Sequence, residues 1–521
     1  MSTLGALSAG RLFRSPLFAA GLLAIVLLVA YEAAQAILAD DFTSLSYAAL
    51  LLVGGAMLVA ILNDWRRGVY LFVVWILFED LVRKYLGNNM IIFFAKDFLV
   101  LVLYYSFFRT RRSHRVERFR IPFRLPLLLF VWLGIIQMFN PASTSILYGI
   151  LGIKVNFLYI PLLYVGYALI DSEEDLHRFF SLSCVLAIIV AGLGLAQSIV
   201  GRTFLNPTHL QEDIRALSTA YRVAPISGLT AYRPNSVFVS GGRLADFLIV
   251  SWVILLGFGG YLLLRTRRGR SLCFIAIGVV AAASLMSASR GVFMWEAGST
   301  LVVIVGFLWG APWRQREVLR VPRIFLRTTL CIFLVIALLL ALFPQEFGSR
   351  LAIYSETLLP NSPASELVHR TKTYPLQQLS YAFDHPRWPY GYGIGTCTLG
   401  AQYVVRLMHA APMNIGVESG FGNLIVELGI IGPIFWLLLG FAVAASTWKV
   451  VKTLKGTPWF PLAFAIAAYA VLLFFPVEFV SSDAYQDYVL NSDLWLLLGI
   501  LYRLRLFPEA FQSAAQAAVH T

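Results

Sequence analysis

The sequence predicts an all-α fold, a polytopic bundle of membrane-spanning helices, and three observations predict it. The 521 residues are 59% hydrophobic and only 13% charged, where soluble domains average about 25% charged. Apolar runs of about 20 residues, each long enough to cross a bilayer, recur from end to end. Lysine and arginine are bunched into short segments between those runs, as topogenic charge is.

In chain order the spans fall near 17–38, 44–62, 68–82, 90–108, 125–139, 147–170, 179–200, 244–264, 271–289, 291–309, 324–343, 421–447, 459–480 and 488–502. Arg11 and Arg14 precede the first run, which lacks a small-residue cleavage site and reads as a transmembrane helix rather than a signal peptide. The basic segments 65–68, 109–124, 265–270, 313–323 and 448–456 alternate with loops poor in Lys and Arg. The positive-inside rule puts these five, and both termini, in the cytoplasm, and leaves loops 201–243 and 344–420 outside. The formal charge of +13 is then topological and does not point to nucleic acid. Three parts result: N-terminal helices over 1–146, a core over 147–447 carrying both long outer loops, and C-terminal helices with a tail over 448–521.

Loops as long as these two are uncommon unless they bind or do chemistry. The first holds five arginines: Arg202, Arg215, Arg222, Arg233 and Arg243. The second, rich in turn formers, adds Arg350, Arg370, Lys372, Arg387 and Arg406. Outer basic residues run against the topological trend, and arginine forks suit a phosphate or diphosphate. The bland alternative is attraction to anionic lipid headgroups. Arg290, in SASRGVF, sits in a tight outer turn between two spans, where small neighbours allow close packing; its ordinary reading is a snorkelling anchor. Arg233 precedes Pro234, which biases it towards extended backbone; its ordinary reading is an exposed loop residue.

Glu418 opens ESGFGNLIVELGIIG, where the second loop enters an apolar run expected to be one helix over 421–447. A carboxylate at a membrane boundary is costly and usually functional. Glu427 follows nine residues later, on the opposite helix face, so the two make no same-face pair. Glu418 is the candidate general base, and Glu427 is expected to make a buried hydrogen bond. Among the loop histidines His369, His385 and His409, His409 is the next candidate base. Lys154 is a candidate phosphate contact, while Glu79, Asp80, Lys96 and Asp97 are expected to form buried ion pairs. P-loop, GxSxG, HExxH and Asp-x-Asp patterns are absent, so neither a cofactor nor a metal is expected; Asp40–Asp41 is the nearest acidic pair.

The segments YRPNSVFVSGGRLADFLIVSW, SLMSASRGVFMW and HPRWPYGYGIGTCTLG, leading into ESGFGNLIVELGIIG, resemble the O-antigen ligase and O-antigen polymerase superfamily of bacterial membrane glycosyltransferases. GIKVNFLYIPLLYVGYALIDSEEDL adds to the likeness, which covers about residues 147–447. The family's last motif has a catalytic His, then Asn, Ser or Gln, nine residues, and Gly-x-x-Gly. Here Ser419, residues 420–428 and Gly429-Ile-Ile-Gly432 keep that spacing, but Glu418 stands where the histidine would. The resemblance implies a membrane glycosyltransferase (GT-C-like) bundle in the bacterial inner membrane, with its active site on the periplasmic side. It implies a glycan donor on a polyprenyl diphosphate and an acceptor hydroxyl on a glycan or lipid-linked acceptor, beside other polysaccharide assembly proteins. Arg233 and Arg290 match the paired arginines that grip the diphosphate, with Arg243 a competing match for the first. Replacement of the histidine by Glu418 favours a polymerase over a ligase. A lipid-linked oligosaccharide flippase is the alternative from another class, disfavoured by the long outer loops.

Overall fold

The computed structural model describes residues 42–86, 90–113, 119–206, 221–265, 268–312, 337–338, 340–359, 361–367, 369, 373–398, 400–408, 413, 415–480 and 484–507. It is 75% helix and 2% strand. The predicted span 17–38 and Asp40–Asp41 lie outside the described residues, as does most of 324–343. The chain divides into two compact units, one of residues 1–118 with 206–211, the other of 119–205 with 212–521.

In the first unit α1 (Phe42–Asn63), α2 (Trp65–Tyr85) and α3 (Met90–Ser113) pack together. Asp64, in extended backbone between the first two helices, caps α2 by accepting the Arg66 N–H at 2.9 Å. Gly68 keeps the three helices close: a Cβ there would lie 3.0 Å from Ile61 and 3.1 Å from Leu103. Glu79, Asp80 and Lys96 form buried ion pairs, as expected. Lys96 meets Glu79 at 2.8 Å between α2 and α3, and Arg83 meets Asp80 at 3.2 Å within α2.

The second unit is a larger bundle. Its helices are α4 (Arg124–Met138), α5 (Ile146–Phe157), α6 (Leu162–Leu169), α7 (Glu173–Val200), α8 (Gly241–Arg265), α9 (Arg270–Met286) and α10 (Arg290–Gly310). Then come α11 (Pro344–Leu358), α12 (Tyr374–Asp384), α13 (Ala401–Met408), α14 (Gly420–Leu428), α15 (Ile431–Thr453), α16 (Phe460–Leu472) and α17 (Tyr488–Leu504). Between α7 and α8 lies an antiparallel hairpin, β1 (Tyr221–Val223) with β2 (Thr230–Tyr232). Among the described residues six helical segments are long and apolar enough to cross a membrane: 146–169, 173–200, 241–265, 290–310, 431–453 and 460–480. The three shorter apolar helices span 49–63, 124–138 and 270–286.

One predicted continuous helix is interrupted: the run 421–447 breaks at Gly429 between α14 and α15. The run 147–170 is one membrane-length segment, 146–169, carried through a turn at residues 158–161 between α5 and α6. Small residues set the closest crossings. A Cβ on Gly166 of α6 would strike the Leu496 carbonyl of α17 at 2.1 Å, and one on Gly499 would strike the Leu163 carbonyl at 2.3 Å. Gly257 and Gly306 likewise let α8 and α10 approach Ala465 and Phe464 of α16. Such backbone approach is how helices associate where lipid removes the hydrophobic drive. Trp436 of α15 is fully buried, donates to the Phe474 carbonyl at 2.9 Å, and stacks edge-on with Phe130 and Tyr485.

Polar contacts define two ends of this bundle. At one, Glu173 accepts from Tyr261 at 2.7 Å and Arg265 at 2.9 Å, and Arg503 meets Asp171 at 3.0 Å. The Gly456 N–H reaches the Gly310 carbonyl at 2.8 Å, and Arg265 lies 5.8 Å from the Trp459 ring centre, so α10 and α15 also finish there. The basic segments 265–270 and 448–456 therefore share one end. The starts of α8, α10 and α15 are at the other.

Candidate active site

The hairpin and the α9–α10 turn bring arginines together at that second end. In an antiparallel pair, directly opposed residues share a face and alternate residues repeat it. Arg222 opposes Ala231, and Arg233 is two residues beyond Ala231, so both guanidiniums start from the face that Ala231 buries. Ala231 packs with Ala224, Ile353 and Ala288, and Ala288 is two residues before Arg290. Three arginines thus leave one small apolar cluster. Arg233 registers the crowding: burial, reinforced by the charges of Arg222 and Arg290, pulls its guanidinium down to about 10, against the pull of Tyr354 and Asp246.

Each arm of this cluster is held. Gln197 of α7 accepts the N–H groups of Asn235 at 2.8 Å and Ser236 at 2.7 Å, and donates to the Phe204 carbonyl at 2.7 Å. Ser236 adopts φ +51° and donates its hydroxyl to the Val190 carbonyl at 2.7 Å. The Y-R-P-N-S turn is therefore fixed through one glutamine. Arg350 ties the hairpin to the α9–α10 turn, donating to the carbonyls of Met286 at 2.8 Å and Tyr232 at 3.1 Å. It is a structural tie, and its guanidinium is buried. Glu356 accepts the N–H groups of Ile226 at 2.7 Å and Ser227 at 3.1 Å, holding the hairpin tip on α11. Arg290, the first residue of α10, meets Glu366 at 2.8 Å.

Glu418 lies at the same end, ahead of α14. Its backbone N–H donates to Gln378 at 2.9 Å, and the Tyr374 hydroxyl donates to its carboxylate. Both partners are on α12. The His369 and Tyr374 rings are 5.6 Å apart. Ser419 caps α14 and also donates to the Phe479 carbonyl at 3.2 Å. Glu418 is exposed. One stretch of chain joins the two groups: Glu366 on Arg290 is three residues from His369, so their Cα atoms are at most about 11 Å apart.

The glycine-rich segment 389–400 closes the far side of α14. Tyr392 and Gly393 donate backbone N–H groups to the carbonyls of Val426 at 2.8 Å and Glu427 at 3.0 Å. The Glu427 side chain, buried, accepts the Cys397 N–H at 2.8 Å. This is the buried hydrogen bond expected of Glu427. Gly429 takes φ +73°, and a Cβ on it would lie 2.5 Å from the Pro389 carbonyl; one on Gly432 would lie 2.7 Å from the Leu424 carbonyl. The Gly-x-x-Gly spacing is the geometry of this turn.

The other candidates separate. Arg243 pairs with Asp487 at 3.3 Å, with its guanidinium 4.6 Å from the centre of the Tyr488 ring. Lys154 stands on the last turn of α5 with its Nζ shielded from solvent. Arg370 and His409 lie outside the described residues. Sequence reasoning named Arg222 only among the outer basic residues suited to an anion, and gave no role to Glu366 or Tyr374. For Arg222 a signal exists in two similar runs, TAYRV and LTAYRP, separated by a Pro- and Gly-containing turn, which is a hairpin pattern. For Glu366 and Tyr374 there is none, since their roles come from long-range contacts. No family model matches the chain, and comparison with curated proteins finds no match.

Proposed function

We propose that this chain is a membrane glycosyltransferase that moves a glycan from a polyprenyl diphosphate carrier to an acceptor hydroxyl at the outer face of the bacterial inner membrane. The observation that supports it is the convergence, at the bundle end away from the basic segments, of an arginine cluster and a solvent-facing carboxylate linked by the Glu366–Tyr374 stretch. In this reading the acceptor oxygen forms a bond to the anomeric carbon while the bond from that carbon to the diphosphate oxygen breaks. The diphosphate leaves with the electron pair, and Arg222, Arg233 and Arg290 neutralise the charge it gathers. Glu418 takes the acceptor's proton, with Tyr374 fixing the orientation of its carboxylate. Polymerisation is favoured over capping of a non-repeat acceptor, because the base is a carboxylate where ligases of the resembling family have histidine.

Complementation of glycan assembly in cells tests it. Glu418→Gln, Arg290→Ala and Arg233→Ala are each expected to abolish surface glycan while the protein accumulates normally. Normal glycan from Glu418→Gln alone would move the base to another residue. Normal glycan from all three would remove the catalytic reading and bring lipid-linked saccharide transport forward.

A further inference from the structure

We infer that the ends of α10 and α15 hold an anionic phospholipid, with its phosphate on Lys452 and Lys455 and its acyl chains along the apolar faces below a stacked pair of indoles. The site lies at the bundle end opposite the arginine cluster and does not depend on the transferase reading.

Trp309, the penultimate residue of α10, and Trp448, in the last two turns of α15, stack with ring centres 5.3 Å apart and planes 11° from parallel. Packing does not bury them, and each stays 42% exposed. The two helix ends are fastened together by the Gly456 N–H, which donates to the Gly310 carbonyl at 2.8 Å. Trp309 also leans on the buried Phe460 ring of α16 at 5.8 Å. The indoles are therefore one fixed platform rather than two separate interfacial anchors. Lys455 places its Nζ 4.0 Å from the centre of the Trp309 ring, and Lys452 lies 5.7 Å from that of Trp448. The Lys455 N–H donates to the Lys452 carbonyl at 3.3 Å. That turn puts the two flexible stems side by side, so both ammoniums can reach one phosphate.

The local sequence supplies no counter-charge: residues 297–316 and 428–477, which carry the indoles and the lysines, contain neither Asp nor Glu. At the same end Glu173 and Asp171 are engaged by Arg265 and Arg503. Below the indoles, exposed apolar side chains continue at helical spacing, with Val305 and Val302 on α10 and Phe441, Leu438 and Ile434 on α15. Both helices pack on α16. Cations, an aromatic layer and hydrocarbon-facing side chains thus follow one another in the order that an anionic head, a glycerol and acyl chains present. A zwitterionic lipid brings an ammonium of its own, which the lysines repel and whose place over the indoles they already take.

Thermal unfolding of the purified full chain in detergent tests the inference without reference to glycan assembly. Phosphatidylglycerol added to the micelles should raise the melting temperature. Phosphatidylcholine at the same mole fraction, and inorganic phosphate at matched ionic strength, should not. Lys452→Gln with Lys455→Gln should raise the half-effective phosphatidylglycerol fraction about 30-fold, equivalent to about 2 kcal/mol, and the corresponding pair of arginines should keep the wild-type response. If the double variant does not fold, Lys455→Gln alone replaces it, with about a 5-fold rise expected. A wild-type response in either glutamine variant overturns the proposal. Arg505→Gln removes a charge exposed at the same bundle end and should change nothing; a loss equal to that of the lysine variant would reduce the effect to general attraction and sink the site. Trp309→Leu with Trp448→Leu keeps both lysines and should still weaken the phosphatidylglycerol response, and an undiminished one would remove the platform from the argument and the proposal with it. Equal stabilisation by phosphatidylcholine would leave only interfacial anchoring, and stabilisation by inorganic phosphate alone would leave only a free-anion site; either result overturns the lipid assignment.

Discussion

Gln197 shows how one buried polar side chain fixes a charged loop. Its carbonyl oxygen takes two backbone N–H groups of the Arg233-Pro-Asn-Ser turn. Buried donors left unmade cost about 1–3 kcal/mol each, so Gln197→Leu is expected to lose about 2–6 kcal/mol in thermal unfolding and to weaken anion binding together. Ala288 is a second such point. It is buried at φ +53°, directly ahead of Arg290. A Cβ in that region costs about 1 kcal/mol, so Ala288→Gly should raise the melting temperature slightly, and a fall would show that the turn needs the methyl packing. Glu356 adds a pH dependence. Hydrogen bonds from the Ser227 side chain, with those from the Ile226 and Ser227 N–H groups, hold its carboxyl below the usual carboxylate range. Its contribution is therefore complete above the ordinary carboxylate value and lost as pH falls through the lowered one. Hydrogen-exchange protection factors at 221–232, which are corrected for the intrinsic exchange rate at each pH, should fall on acidification, and Glu356→Gln should flatten that acid step.

At the scale of elements, what the sequence discloses depends on how local the cause is. Apolar length alone finds the spans of α7, α8, α10 and α16, because burial in lipid acts on each helix separately. It does not find the break at Gly429, since a glycine at positive φ leaves hydrophobic periodicity unchanged on both sides. The long polar stretch 344–420 reads as a loop, yet it holds α11, α12 and α13; Pro and Gly clusters at their ends mask three short helices. Arg233, Arg290 and Glu418 stand out by chemistry and boundary position, whereas Glu366 and Tyr374 depend on contacts between distant segments. The glycine-rich turn gives a test of this division. Gly395 has φ +89°, and a Cβ on it would lie 1.9 Å from the Tyr148 carbonyl, while Gly400, at φ +98°, would meet nothing nearer than 3.6 Å. Gly395→Ala should cost on the order of 3 kcal/mol or more through clash plus conformation, and Gly400→Ala only about 1–2 kcal/mol. Equal losses would mean that the α5 contact is not what the segment is built for.

Over the whole molecule, the separation of charge between bundle ends is the feature on which the functional reading turns. Arg265, Arg503 and the Gly456 turn share one end, and α8, α10 and α15 each run from there to the end that carries Arg243, Arg290 and Glu418. A helix of 25 residues, as α8 is, is about 37 Å long at 1.5 Å per residue, enough to cross the hydrocarbon core with its ends in different compartments. If the positive-inside rule holds, the arginine cluster faces outward, where a donor on the outer leaflet can reach it. Single cysteines at Arg268 and Gly416, both exposed, measure this directly after the four native cysteines are replaced. Gly416→Cys should react with a membrane-impermeant maleimide on intact spheroplasts, and Arg268→Cys only after lysis. Labelling of both from one side would break the assignment of ends. The reverse pattern would keep the bundle but turn the arginine cluster to the cytoplasm, out of reach of an outer-leaflet donor, and the transferase proposal would fail with it.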